Sequence, residues 1–169
     1  PDVFWCVNTY EGWATWSAWA VELYPELGFE PGEGPREGEG TVVRWMSAGE
    51  PAGELVIRES TPEERVAYTM TFAGGDEVMQ GSMLLAPEAE GVRITWTEEG
   101  SIGMNPIARY AALLSRGMVE EHFDKGLASL AEAAAARAEE RAEAERRAEV
   151  VDPEADEVFD GGGAAYEGN

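Results

Sequence analysis

Between Gly40 and Gly100 apolar residues recur at every second position, and this alternation constrains the fold more than any other feature of the chain. Val43-Trp45, Leu55-Ile57, Val66-Tyr68-Met70-Phe72, Met79-Gly81-Met83-Leu85 and Val92-Ile94-Trp96 each alternate with polar or small residues. A strand places successive side chains on opposite faces, so the pattern predicts five strands with one buried and one wet face. Gly49-Glu50-Pro51, Ser60-Thr61-Pro62, Gly74-Gly75-Asp76 and the stretch from Pro87 to Gly91 supply turn chemistry between them. Connections this short join neighbouring strands, which makes an antiparallel meander. Its apolar face needs a cover.

The cover comes from the C-terminal half. Pro106 suits a first helical turn and Asn105 an N-cap. Ile107, Tyr110, Leu114, Met118, Phe123, Leu127 and Leu130 then recur at three- to five-residue steps and define one apolar helix face. Residues 131–149 are almost entirely Ala, Glu and Arg, with the pairs Arg141/Glu145 and Glu143/Arg147 one turn apart. The apolar face ends near Leu130, so the expectation is a docked helix from 106 to about 130 and an exposed helical continuation whose alanines give weak association at most. The class is α+β, with a sheet covered by one long helix.

At the other end, Val3, Phe4 and Val7 suit a short helix that stops at Asn8. Trp13, Trp16 and Trp19 follow at three-residue steps. Each indole carries on the order of 150–250 Å² of surface to bury, so these residues must wedge against the sheet or the long helix. Residues 28–40 contain five glycines with Pro31 and Pro35 and read as a mobile loop.

At 169 residues the chain has the length of one domain. It holds 34 acids against 12 bases, only one of them a lysine, Lys125, for a net charge of −22. Phosphate binding needs a basic stripe, and the only basic cluster is the helical Arg146-Arg147 pair, so nucleic acid is excluded as a partner and an anionic membrane surface is disfavoured. No stretch approaches the ~18–20 apolar residues of a membrane-spanning helix. The single cysteine, Cys6, makes neither an internal disulfide nor a multi-cysteine metal site, and it leaves the compartment open. Residues 150–169 carry six acids, no base and the Gly161-Gly162-Gly163 run, and read as an acidic disordered tail. The acidity serves solubility or, alternatively, a basic protein partner.

The order of these elements, together with particular residues, resembles the polyketide-cyclase-like branch of the SRPBCC superfamily (START and birch-pollen-allergen-like proteins). The resemblance lies in Val3-Phe4, Asn8 and the run from Trp13 to Ala20, then in Gly91 to Trp96, Gly103 to Tyr110 and Phe123 to Leu130, four segments matching in order across residues 1–130. Ala18 departs from the proline common in the family. The resemblance implies a helix-grip fold, a curved antiparallel sheet wrapped around a long C-terminal helix. The family's opening strand, and the apolar membrane anchor that many members carry before it, would stand ahead of Pro1. A domain over 1–130 would then be followed by the helical extension, 131–149, and the tail.

Proteins of this kind hold apolar ligands between sheet and helix. The resemblance places Trp45, Tyr68, Met70, Met83, Trp96, Met104, Tyr110, Leu114 and Met118 around such a cavity, where methionines make an adaptable wall; the same side chains would equally serve as a packed core. Catalytic signals are weak. His122 lies between Glu121 and Phe123 with Ser115 the nearest hydroxyl, Glu98-Glu99 is a paired acid at a strand end, and Arg109 and Tyr110 are candidates for orienting a carbonyl. Gly32 to Gly40 lacks the Lys-Ser/Thr of a phosphate loop. The reading is a binding or carrier domain for a small apolar ligand, without a metal or cofactor. The alternatives are a cyclase or dehydratase in which Tyr68, Arg109, Tyr110 or His122 polarises a polyketide, and an interaction module built on residues 131–169.

Overall fold

Seven residues are too few for a helix to persist alone, because nucleation and end effects outweigh so few internal hydrogen bonds. Helix α1 (Asp2–Asn8) is of this kind, and it is held by what receives its last carbonyls. In the computed structural model, which describes residues 1–17, 26–73, 78–100 and 116–151 with side chains of the last segment over 120–148, all four terminal carbonyls have donors. Trp5 O accepts from the Thr9 N–H at 3.2 Å and Asn8 O from the Gly38 N–H at 2.8 Å. Cys6 O accepts from the Trp16 indole at 3.1 Å and Val7 O from the Trp13 indole at 2.7 Å. These are the groups that a helix end otherwise leaves unsatisfied.

Both indoles come from α2 (Tyr10–Trp16), which Thr9 caps by accepting from the Gly12 N–H at 2.9 Å. Gly12 lets the two helices touch: a Cβ there would lie 2.5 Å from Trp5 O and 2.6 Å from the Cys6 Cα. Trp13 and Trp16 are buried, as their spacing predicts, and pack on the sheet side of the domain. Trp19 lies outside the described residues.

The sheet is a six-stranded antiparallel meander in chain order: β1 (Gly28–Pro31), β2 (Val42–Ser47), β3 (Glu50–Thr61), β4 (Arg65–Phe72), β5 (Val78–Glu88) and β6 (Gly91–Gly100). Val43, Trp45, Leu55, Ile57, Val66, Tyr68, Met83 and Leu85 are its buried face, the one predicted by the alternation. The tight turn after β2 is Ala48-Gly49, both at positive φ as a two-residue hairpin loop requires. Strand β3 runs to twelve residues, so Glu50, Pro51, Ser60 and Thr61 belong to the ladder rather than to the turns beside it. The Gly74-Gly75-Asp76 turn lies outside the described residues.

One expectation is corrected. Residues 28–40 are not a free loop: Gly28–Pro31 form β1 against β2, with Phe29 opposite Trp45. The glycines beyond donate backbone hydrogen bonds, Gly32 to Val42 O, Gly38 to Asn8 O and Gly40 to Ile57 O. The Tyr10 hydroxyl donates to Phe29 O, and Arg36 lies over the Tyr10 ring while it pairs with Glu11. Glycine and proline content reports what side chains lack; it is silent on where the backbone N–H groups go.

Bulges interrupt the ladder between Trp45 and Met46 and between Ile57 and Glu59. A bulge curls a sheet and reverses side-chain parity beyond it. The second one turns Ser60 inward, where its hydroxyl donates to Asn8 Oδ1 at 2.6 Å and ties α1 to β3.

Helix α3 (Arg116–Val151) brings half-buried Phe123 and buried Leu130 and Ala134 to one side, three to four residues apart in the stripe His122, Phe123, Gly126, Leu130, Ala133, Ala134. The expected N-cap at Asn105 and first turn at Pro106 lie outside the described residues. The chain divides into two units, Pro1–Ala135 and Ala136–Asn169. In the second, exposed pairs join Arg141 to Glu145 and Arg147 to Glu143, each worth about 0.3–0.5 kcal/mol. The tail from residue 152 lies outside the described residues. No helix among the described residues is long and apolar enough to cross a membrane.

Trp13→Phe keeps an aromatic ring but removes the pyrrole half of the indole, and with it the donor to the buried Val7 carbonyl. A loss of about 1–3 kcal/mol in unfolding free energy is expected from urea titration; a change within error would mean that the carbonyl does not depend on the indole.

Candidate functional site

The inner face carries two rows in which an aromatic side chain lies across a glycine to reach the strand beyond. Trp45 on β2 faces Gly53 on β3, which faces Phe72 on β4; the Trp45 and Phe72 rings meet edge to face at 5.7 Å. Tyr68 on β4 faces Gly81 on β5, which faces Glu98 on β6. A Cβ at Gly81 would stand 2.1 Å from Tyr68 Cζ, so the phenol occupies the volume that any other residue would fill.

Crossing Gly81 brings the Tyr68 hydroxyl to β6, where it donates to Glu98 Oε1 at 2.7 Å and accepts from the Trp96 indole N–H at 2.6 Å. Trp96 and Glu98 are two residues apart and therefore on one face. Around them the rings form a continuous cluster. Trp13 meets Tyr68 edge-on at 5.2 Å, Trp16 meets Trp96 at 5.5 Å, and Trp96 meets Phe123 of α3 at 4.7 Å. Helix α2, the sheet and α3 thus converge on Trp96.

Burial first, and then the Glu98 charge, push the Tyr68 hydroxyl well above the ordinary phenol range. Burial also raises the Glu98 carboxyl, against the opposing effect of the Tyr68 and Trp96 donors. His122, half-buried with its ring 6.3 Å from that of Trp96, is held below its ordinary value by burial. All three shifts favour the uncharged form of the group concerned.

Of the nine residues expected around a cavity, Trp45, Tyr68 and Met83 are buried and Met70 and Trp96 half-buried, all on the inner face. Tyr68, Met83 and Trp96 stand together, Met83 opposite Trp96 in register. Trp45 belongs to the other row. Met104, Tyr110 and Leu114 lie outside the described residues, as do Arg109, Ser115 and the side chain of Met118. The paired acids separate as strand parity demands: Glu98 points in and Glu99 is exposed. Among the described residues no group of three or more His, Cys, Asp or Glu side chains is placed to hold a metal ion.

Gly81 is the residue that sequence reasoning passed over. Its signal was present, a glycine at an inward position of an otherwise apolar run, Met79-Gly81-Met83-Leu85.

Gly81→Ala drives a methyl into the Tyr68 ring, and a loss of about 1–3 kcal/mol is expected in urea unfolding. In a Tyr68→Ala background the same change costs little, so a double-mutant cycle gives strong coupling; additivity would contradict the close approach. A second expectation concerns pH. A carboxyl whose folded pKa lies above its ordinary 4.5 stabilises the fold fully below the unfolded pKa and loses that contribution as pH rises through the folded pKa. Glu98→Gln lacks this dependence, so its melting temperature relative to the parent should climb as the pH rises above the ordinary carboxyl value of 4.5. A difference that stays flat or falls would mean that Glu98 is not penalised by burial.

Comparison with known proteins agrees with this architecture. Residues 2–135 match the sequence profile of the family described as polyketide cyclase / dehydrase and lipid transport. No functionally curated protein matches the chain. The fold is shared with protein CV1439 of Chromobacterium violaceum, whose crystal structure aligns with a TM-score of 0.52 at 22% identity over 78% of this chain and 85% of the other. With nearly the whole α+β domain covered by that profile, the chain belongs to the polyketide cyclase / dehydrase and lipid transport family.

Proposed function

We propose that the protein is a binding or carrier domain for a small apolar ligand of lipid or polyketide type, held between the inner face of the sheet and the C-terminal helix. The observation that carries this reading is the composition of that face. Met70, Met83, Trp96 and the Tyr68 ring form an apolar surface, and the one hydroxyl in it has its proton committed to Glu98. A phenol already donating to a carboxyl group and accepting from an indole is poorly placed to polarise a substrate. Family membership supports an apolar ligand, and Met104, Tyr110, Leu114 and Met118 would complete the wall.

The second reading, a cyclase or dehydratase, rests on the same pair seen differently. A half-buried carboxyl raised by burial, 2.7 Å from a hydroxyl, is the kind of group that serves as a general acid.

Native mass spectrometry of the purified chain against a panel of fatty acids, sterols and aromatic polyketides tests the binding reading. A bound mass that leaves on denaturation is expected. A clean apo mass unmoved by the whole panel would overturn it. Conversion of a panel member that Glu98→Gln abolishes while still binding would make the protein an enzyme.

A further inference from the structure

Trp13, Trp16, Trp96 and Tyr68 close a ring of four aromatic side chains. Between centroids, Trp13 lies 4.7 Å from Trp16, Trp16 lies 5.5 Å from Trp96, and Tyr68 lies 5.2 Å from Trp13. The Trp96 indole N–H closes the circuit by donating to the Tyr68 oxygen at 2.6 Å. An electron vacancy on any of these tryptophans is therefore at most two steps from Tyr68, and tunnelling between rings in contact is fast because its rate falls exponentially with the gap. Trp13, Trp16 and Tyr68 are buried, while Trp96 is half-buried and is the ring that an oxidant from outside meets first. The Tyr68 hydroxyl makes this residue the end of the path. Losing an electron turns a phenol into a strong acid, so a tyrosine is oxidised readily only where a base in hydrogen-bond contact takes its proton. Tyr68 donates to the Glu98 carboxyl at 2.7 Å, which the Trp96 N–H also steadies. Tyr10, the other tyrosine among the described residues, donates instead to Phe29 O at 3.0 Å, and an amide oxygen is too weak a base for this.

We infer that the ring is a relay for one-electron oxidants, which collects an electron vacancy at the tryptophans and holds it as a tyrosyl radical on Tyr68. The opening electron leaves with the oxidant, an outer-sphere acceptor of the inorganic-radical class, and Trp96 becomes a radical cation. One electron then passes from Tyr68 to Trp96 while the hydroxyl proton passes to the ionised Glu98 at Oε1. The products are neutral Trp96, the tyrosyl radical and a neutral carboxylic acid. Both hydrogen bonds outlast the step, because the Trp96 N–H still donates to the tyrosyl oxygen and the new Glu98 O–H donates back to it. Little has to move, and the product carboxyl is in the form that burial favours. Gly81 makes the arrangement possible, since only a residue without Cβ lets Tyr68 reach across β5 to this base.

Pulse radiolysis of the full chain in azide solution at about pH 8, well above the ordinary carboxyl value of 4.5, tests the relay. Azide radicals take one electron from indoles in preference to phenols, and transient absorption follows the tryptophanyl and tyrosyl radicals in separate bands. In the parent the tryptophanyl signal should decay as the tyrosyl signal grows, at one rate independent of protein concentration and slowed roughly two- to threefold in D2O. Tyr68→Phe keeps the ring without the hydroxyl and should lose most of the tyrosyl growth, whereas Tyr10→Phe should leave it unchanged. Glu98→Gln keeps a hydrogen-bond acceptor but removes the base, so conversion should slow by at least about tenfold. In urea, where the ring is dispersed, parent and Glu98→Gln should convert alike. Absence of conversion in the folded parent, a rate that depends on protein concentration, or a parent that converts equally fast in urea would overturn the relay without recourse to any variant, and would leave the ligand reading standing. Tyrosyl growth that survives in Tyr68→Phe, or disappears in Tyr10→Phe, would overturn Tyr68 as the end of the path. No slowing in D2O, or a smaller slowing in Glu98→Gln, would overturn proton transfer to the carboxyl.

Discussion

The domain depends on two indole N–H groups that close the end of a helix too short to exist alone. Trp13 and Trp16 satisfy the carbonyls of Val7 and Cys6 from within the protein, where water would otherwise be needed. Because both donors sit on α2, hydrogen bonding and packing are one event: the indoles cannot cap α1 without also presenting their rings to Tyr68 and Trp96. Thr9, Gly12 and Asn8 serve the same junction. One caps, one permits contact, and one receives Ser60 from the bulged third strand. The N-terminal helices are thus fastened to the sheet by polar bonds at a point where apolar burial alone would leave their orientation loose.

On the sheet, glycine has an unusual use. At Gly53 and Gly81 the missing side chain makes a channel across one strand through which a ring from the neighbouring strand extends. This lengthens the reach of an aromatic side chain to the second strand over and places a phenol against a carboxyl that ordinary cross-strand pairing would keep apart. The result is a polar pair embedded in an apolar face, with α3 contributing Phe123 and His122 beside it.

Much of the architecture was legible because strand periodicity is a direct consequence of backbone geometry. The alternation from Val43 to Trp96 identified five of the six strands and the inward face of β2 to β5, while on β6 Ile94 and Trp96 are half-buried and Val92 is exposed. β1 escaped because Gly28-Phe29-Glu30-Pro31 carries no alternation long enough to register, and its pairing comes from β2 rather than from its own side chains. The inward direction of Glu98 followed from Trp96 two residues earlier, yet an acid among 34 gives no sign that it is the one buried. Partners such as Tyr68 and Glu98 are thirty residues apart, joined by the registers of β4 with β5 and of β5 with β6, which local pattern does not specify. The helix stripe was partly visible in Phe123 and Leu130, while Ala134 was passed over because alanine in an Ala-rich run carries no contrast.

The ring cluster has an optical consequence. Trp13 and Trp16 lie 4.7 Å apart and Trp16 lies 5.5 Å from Trp96, well inside the range over which neighbouring indoles exchange excitation. Light absorbed by any of the three is shared among them, so their transitions couple and their emission reports the cluster as a whole rather than independent chromophores. Since α2 and β6 contribute these indoles, the near-ultraviolet signature of the cluster is a built-in gauge of whether that helix and the sheet are in register with each other.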